Sequence, residues 1–138
     1  SNIFENISKD PILRQSFEFF KKAEIFLEPY SKKFLPEAQI RELIHQTGVR
    51  TFSRPIGVPE NYLVKVTEKG AGMIYMHPTN THISIRVMPG KPHSSFPYQQ
   101  KPYVIQMKEG KALDKFGNRV LADTPEAHIP FEEFVYKS

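Results

Sequence analysis

Residues 62–88 read YLVKVTEKGAGMIYMHPTNTHISIRVM. The period is two. Apolar and polar side chains alternate over 62–67, 72–76 and 82–88, and the intervening EKG and HPTN are turn signals. Short strands joined by tight turns predict an antiparallel meander. On the third strand His82, Ser84 and Arg86 share one face, and Ile83, Ile85 and Val87 share the other. A fourth strand is expected at 103–108, followed by turns at 109–111 and 114–118 with short extended pieces around them. Between the third and fourth strands, residues 89–102 carry prolines at 89, 92, 97 and 102. Such a segment cannot be a central strand. It is a long, stiff loop of the kind that often carries function.

Upstream the period changes. Asp10-Pro11 is a helix start, a carboxylate cap followed by proline at the first helical position. Ile12, Leu13, Phe17, Phe19, Phe20, Ala23, Phe26 and Leu27 follow at spacings of three and four, the pattern of a wide apolar stripe. Pro29 ends this helix near Glu28. A second helix is predicted from Pro36 to the neighbourhood of Gln46, with Ile40, Leu43 and Ile44 inward and Gly48 as C-cap. Helices first and strands after predict an α+β fold: two or more N-terminal helices on one face of an antiparallel sheet. One domain is expected over 1–138, with a helical part at 1–48 and a sheet part at 49–138 that holds the candidate site.

The chain has 138 residues and no cysteine. That length fits one domain with a modest core. The missing cysteines exclude disulfide scaffolds, thiolate metal sites and cysteine nucleophiles, and suit a reducing compartment. No apolar run approaches the roughly 18 residues a bilayer span needs. Ser1-Asn2 has no signal-peptide features, and so abrupt a start suits a domain cut from a longer parent. The net charge of +4 is unevenly spread. Residues 71–119 hold 7 Lys+Arg against 2 Asp+Glu, whereas 120–138 hold 1 against 4. A basic middle section implies an anionic partner, or simply a solvated basic face.

No metal signature is present. Histidines 45, 77, 82, 93 and 128 form neither a His-x3-His pair nor a His-Glu-x-x-His pattern. Phosphate-cradling glycine loops and the Gly-x-Ser-x-Gly elbow are absent too. Acid–base chemistry with cationic support remains. RNA carries its own nucleophile, the 2′-hydroxyl. Cleavage needs a base, an acid, and cations for the developing phosphorane charge. His82, Ser84 and Arg86 on one strand face, His93, Ser94 and Ser95 on the following loop, and flanking Lys91 and Lys101 are the groups that could do this. Tyr98 and Tyr103 are suited to stacking a splayed base. Each residue also has a plainer reading. His82 is then a solvated strand residue, His77 a turn residue, and His45 a helix-end residue facing the dipole. His128 is either catalytic or a buried histidine that pins the last segment. Lys115 and Asn118 are ordinary turn residues. His82 and Arg86 lie about 13 Å apart along a strand, so a shared phosphate requires the arginine to lean back.

The blocks HPTNTHISIRVMPG, KPYVIQ, GKALDKFGN and EAHIP, in this order over roughly 72–134, resemble the C-terminal toxin modules of bacterial polymorphic toxins, including contact-dependent inhibition and RHS-type proteins. The matching positions are His77, Asn80, His82, Arg86, Ser94, Tyr103, Lys111, Asp114, Lys115 and His128. Thr81 stands where the family pattern has proline, and GKPHSSFP replaces a Gly-Asn-Pro-Asn-Ser-Pro loop, so His93 falls on an asparagine position. The resemblance implies a metal-independent RNase of the barnase/EndoU/colicin/RelE group. Such a module is exported within a larger bacterial toxin and cleaves RNA, often tRNA, in the target cytoplasm. A cognate immunity protein neutralises it in the producer. The expected site has His82 and His128 as proton-transfer pair, Arg86 on the phosphate and Lys115 assisting. Ser84, Ser94, Lys101, Tyr103 and Lys111 are expected to bind substrate. A monomer without cofactor, metal or membrane contact is expected. The alternatives are a metal-dependent DNase toxin and a non-catalytic basic domain that binds nucleic acid or protein.

Overall fold

The first helix is written by its cap. In the computed structural model, which describes residues 9–138, Asp10 Oδ1 accepts the Ile12 N–H at 2.9 Å and the Leu13 N–H at 3.4 Å. Helix α1 (Pro11–Leu27) follows and buries Phe20, Ala23 and Leu27. Its buried stripe is narrower than the sequence pattern, because Ile12, Phe19 and Phe26 stay exposed. Pro29 converts the next residues into a 3-10 turn at Glu28–Tyr30. Helix α2 (Glu37–Gln46) buries Ile40, Leu43 and Ile44. It gives way to Gly48 at φ +85°, the left-handed conformation that glycine adopts without steric cost. The chain-start features read at Ser1 and Asn2 lie outside the described residues.

The rest of the chain is a sheet. Strands β1 (Leu63–Val66), β2 (Met73–Met76), β3 (Ile83–Met88), β4 (Tyr103–Lys108), β5 (Lys111–Leu113) and β6 (Arg119–Val120) run as an antiparallel meander in that spatial order. A two-residue strand, β7 (Ile129–Pro130), pairs with the start of β4, Tyr103 opposite Pro130 and Val104 opposite Ile129. The fold is α+β, with both helices on one face of the sheet. Val64, Val66, Met73, Tyr75, Ile85, Val87 and Val104 point into the core with the helix residues. The period of two then forces their neighbours Ile74, Met76, Ser84, Arg86, Met88, Tyr103, Ile105 and Met107 onto the opposite face, away from the helices, where Ile74, Ser84 and Met88 are still buried by their neighbours.

Polar knots fasten the helices down. Glu37 on α2 accepts Arg54 at 2.7 Å and the Tyr75 hydroxyl at 2.8 Å, and is also bonded by Arg41. Arg41 reaches on to the Phe52 carbonyl at 2.7 Å, and the Arg54 guanidinium lies over the Tyr75 ring. Burial alone would raise the Glu37 carboxyl. The bonds from Tyr75, Arg54 and Arg41 outweigh it and hold the group below its ordinary value. Glu24 on α1 forms a second knot, accepting Lys91 at 2.7 Å and the Gly70 N–H at 2.6 Å. At the chain end Gln106 bonds both the N–H and the carbonyl of Lys137, and Tyr62 bonds Tyr136 at 2.7 Å.

The proline-rich 89–102 loop is clamped by its own hydrogen bonds. The Lys91 N–H donates to the Gln99 carbonyl at 2.8 Å, and Ser94 Oγ bonds Gln99 and accepts the Phe96 N–H. Gly90 (φ +81°) lies so close to Lys101 that a Cβ would stand 2.5 Å from its carbonyl carbon. His93 is buried and shares a 2.9 Å hydrogen bond with Ser16 of α1, its ring edge-on to Phe17.

Replacing Glu37 with Gln leaves two guanidiniums without their carboxylate. We expect a loss of about 2 kcal/mol, since bonds to charged groups contribute roughly 1.5–3 each, read as a lowered urea midpoint. Lys115→Ala is the control. Its 3.5 Å pair with Glu133 is half exposed on both sides, and its loss shifts stability by less than about 0.5 kcal/mol.

Candidate active site

The sheet face away from the helices is the floor of a cleft of about 820 Å³. Three strands supply that floor. Ile74, Met76, Met88, Ile105 and Met107 make it soft and apolar, and Ser84 and Arg86 are the polar groups that β3 adds. Lys65 and Lys69 stand on the side of β1, Lys91 comes from the clamp loop, and Asp123 and His128 come from the segment after β6. Register explains the meeting of Arg86, Tyr103 and His128. Met88 faces Tyr103 and Arg86 faces Ile105 across β3 and β4. Pairing of β7 with Tyr103 and Val104 then carries the preceding residue, His128, to the same end of the sheet.

His128 is 7% exposed. Its Nδ1 lies 2.7 Å from the Thr124 carbonyl. A carbonyl only accepts, so Nδ1 carries the hydrogen and Nε2 holds the free lone pair of the neutral ring. The ring is gripped by Tyr98 and Tyr103, with centroids at 4.5 and 4.8 Å. Burial pushes its pKa below the ordinary value, and the Thr124 bond and the Asp123 charge oppose this only in part. His128 is therefore an oriented, neutral imidazole near pH 7. The ring is buried and fastened, as the plainer reading had it, and it also lines the cleft.

Burial also raises the Tyr103 phenol, with the Arg86 charge opposing. Tyr103 thus stays a protonated donor beside a cation. Arg86 is exposed and forms no ion pair among the described residues.

The remaining expected residues lie elsewhere. His82 precedes β3, is exposed and does not line the cleft. The β7 register sets His128 level with Ile105 and so with Arg86, four residues from His82, so about 13 Å of strand separates the two histidines along β3 and β4 lies between them across the sheet. His82 and His128 are not brought together. Ser94 is spent on the clamp loop. Lys101 lines a separate groove. Lys111 on β5 is exposed outside the cleft, and Lys115 is exposed beside Glu133. The plainer readings suit His77, whose Nδ1 accepts the Thr79 and Asn80 N–H groups at 3.1 Å, and His45, exposed in the last turn of α2. Asp114 organises its turn by accepting the N–H groups of Phe116 and Asn118. Sequence reasoning missed Lys65, Lys69 and Asp123, and missed the methionine floor. For the floor a signal was available within each strand: 74 and 76, then 84, 86 and 88, then 103, 105 and 107 alternate with the apolar core positions.

Among the described residues no three His, Asp or Glu side chains gather as a metal-ligand cluster, and no helix is long and apolar enough to cross a membrane. Compared with protein-family models, with curated proteins and with solved structures, the chain finds no match.

In an NMR titration we expect the His128 ring to protonate with a midpoint below the ordinary value of about 6.5. Asp123→Asn should lower it further. A midpoint above 6.5 contradicts the described environment. His93 shifts the same way, from burial and then the Lys91 charge. For both rings the folded pKa lies below the unfolded one. The stability they contribute is therefore complete above about pH 6.5 and declines as the pH falls through and below it. Urea midpoints should drop between pH 7 and 5, before the carboxylates titrate.

Proposed function

We propose that this domain is a metal-independent ribonuclease that cleaves RNA through its own 2′-hydroxyl. One observation carries the reading. A neutral, fastened imidazole, a protonated phenol and an unpaired guanidinium converge at one end of a basic cleft.

These groups support the following chemistry. His128 Nε2 takes the 2′-hydroxyl proton, and the 2′-oxygen attacks the adjacent phosphorus. Arg86 holds the non-bridging oxygens and carries the charge that grows on them. The P–O5′ bond breaks, and the departing 5′-oxygen takes the Tyr103 proton. The imidazolium then returns its proton to the Tyr103 phenolate against which it packs. The product is a 2′,3′-cyclic phosphate with a free 5′-hydroxyl, and the enzyme is regenerated. Lys65 and Lys69 support the anionic backbone, and the methionine floor accepts base faces. Relative to the expectation from sequence, His82 leaves the proton-transfer pair and Tyr103 takes its place.

The resemblance extends the proposal. The domain would be the toxin end of a larger exported bacterial protein. It would act on RNA, tRNA being the first substrate to try, in the cytoplasm of a recipient cell. An immunity protein would neutralise it in the producer.

Purified domain incubated with total tRNA in EDTA is expected to cut it. His128→Ala and Arg86→Ala should each lose at least about 100-fold in rate while keeping the wild-type circular dichroism. His82→Ala should cleave normally. Full activity of the His128 or Arg86 variant sinks the assignment. Activity that vanishes with chelator and returns with a divalent cation favours the metal-dependent nuclease instead. Salt-sensitive binding without any product favours a non-catalytic binding domain.

A further inference from the structure

His128 and Tyr103 have a second side. Beyond them lies a separate groove of about 570 Å³, walled by Arg50, Phe52, Tyr98, Lys101 and Phe131. The two residues line both this groove and the sheet cleft, so the two spaces meet at the candidate catalytic imidazole. We propose that the groove is a second nucleotide subsite, which makes the substrate a single-stranded segment threaded past His128 with a nucleoside on each side of the scissile phosphate. The proposal rests on the ribonuclease reading and adds the substrate's form to it.

Four features of the groove carry this. Its size lies within the range of small-molecule sites, roughly 300–1,000 Å³. Its walls are aromatic: the half-buried Tyr98 and Phe131 line it, Phe131 resting on the buried Phe52 with ring centroids 4.9 Å apart. Flat aromatic walls accept any base by stacking. Its rim is cationic. The Arg50 guanidinium is held 4.8 Å over the Phe52 ring, and Lys101 is exposed with no ion pair among the described residues. Against these two cations the lining holds one carboxylate, Glu132. Finally, the groove is preformed. The close approach of Gly90 fixes the Lys101 backbone, and the Phe131 N–H donates to the Pro102 carbonyl at 3.2 Å. A base can enter such a slot only after leaving its stack, which excludes paired RNA. Sequence reasoning placed Lys101 beside the site but had no reason to bring Arg50 or Phe52 there.

The test uses 2′-O-methyl nucleotides, which lack the nucleophile and report binding independently of cleavage. Affinities of the full chain for a mononucleotide, a dinucleotide and a duplex of the same sequence are measured by NMR titration. We expect the second nucleotide to tighten binding at least tenfold, with shifts at Tyr98 and Lys101, and the duplex to bind at least tenfold more weakly than the single strand. The exposed-site double variant Arg50→Ala/Lys101→Ala should lose the gain from the second nucleotide. Arg86→Ala should weaken all the ligands but keep that gain. If the wild type shows no gain, if the double variant keeps it, or if the duplex binds as well, the subsite is overturned. That result alongside tRNA cleavage in EDTA removes the subsite alone and leaves the ribonuclease reading standing. Absence of both binding and cleavage removes the two together. A groove that serves a protein partner instead would leave nucleotide affinities untouched in the double variant, and that too overturns the proposal.

Discussion

The Glu37 carboxylate is the point on which the architecture turns. It joins Arg41 on its own helix, Arg54 on the connector and Tyr75 on β2. Tyr75 is wholly buried, and its phenol is raised by burial and then by the carboxylate it bonds. An ion pair in such a place offsets its desolvation only when every partner is present. With all of them present, α2 and the connector can seat on one face of the sheet and not the other. The segment between α2 and β1 has no secondary structure of its own beyond turns. The two arginine bonds to backbone carbonyls, at Phe52 and Pro59, hold it.

Covering one face determines what the other can be. Antiparallel sheets commonly keep one side open. Here the open side carries arginine, serine, tyrosine and methionines, while lysines flank it. The second knot, Glu24 with Lys91 and Gly70, ties the β1–β2 turn and the clamp loop back to α1. It keeps both edges of the cleft in place and holds Glu24 below the ordinary carboxylate value, because these bonds outweigh its burial. The result is a concave surface in which the His128 ring is oriented by a backbone carbonyl. Preorganisation of this sort is what acid–base catalysis asks of a protein.

Much of this was legible in the sequence. Asp10-Pro11, Pro29 and Gly48 punctuate the helices by local chemistry, and the period of two places β1 to β4 within a residue of their true ends. Arg86 was legible as an exposed cation on the strand face turned away from the core. What was not legible depends on partners far away in the chain. His93 looks like a catalytic loop histidine until Ser16, 77 residues earlier, is found bonded to it. His82 and His128 look like a pair until the strand register separates them and only His128 lines the cleft. β7 is two residues long and contains a proline, so no pattern announces it, yet its pairing with Tyr103 and Val104 helps bring His128 to Tyr103. The 49–62 connector has no periodicity, which hid Arg50 and Phe52.

The central claim is that the cleft uses the RNA's own 2′-hydroxyl, with His128 as base. The chemical identity of the new ends tests it most directly. After digestion of tRNA by the wild-type domain, mass spectrometry of the fragments should find 2′,3′-cyclic phosphate and 5′-hydroxyl termini. A single 2′-deoxy substitution at the cut position should abolish that cut. Fragments ending in 3′-hydroxyl and 5′-phosphate, or undiminished cutting at the 2′-deoxy position, would contradict the account.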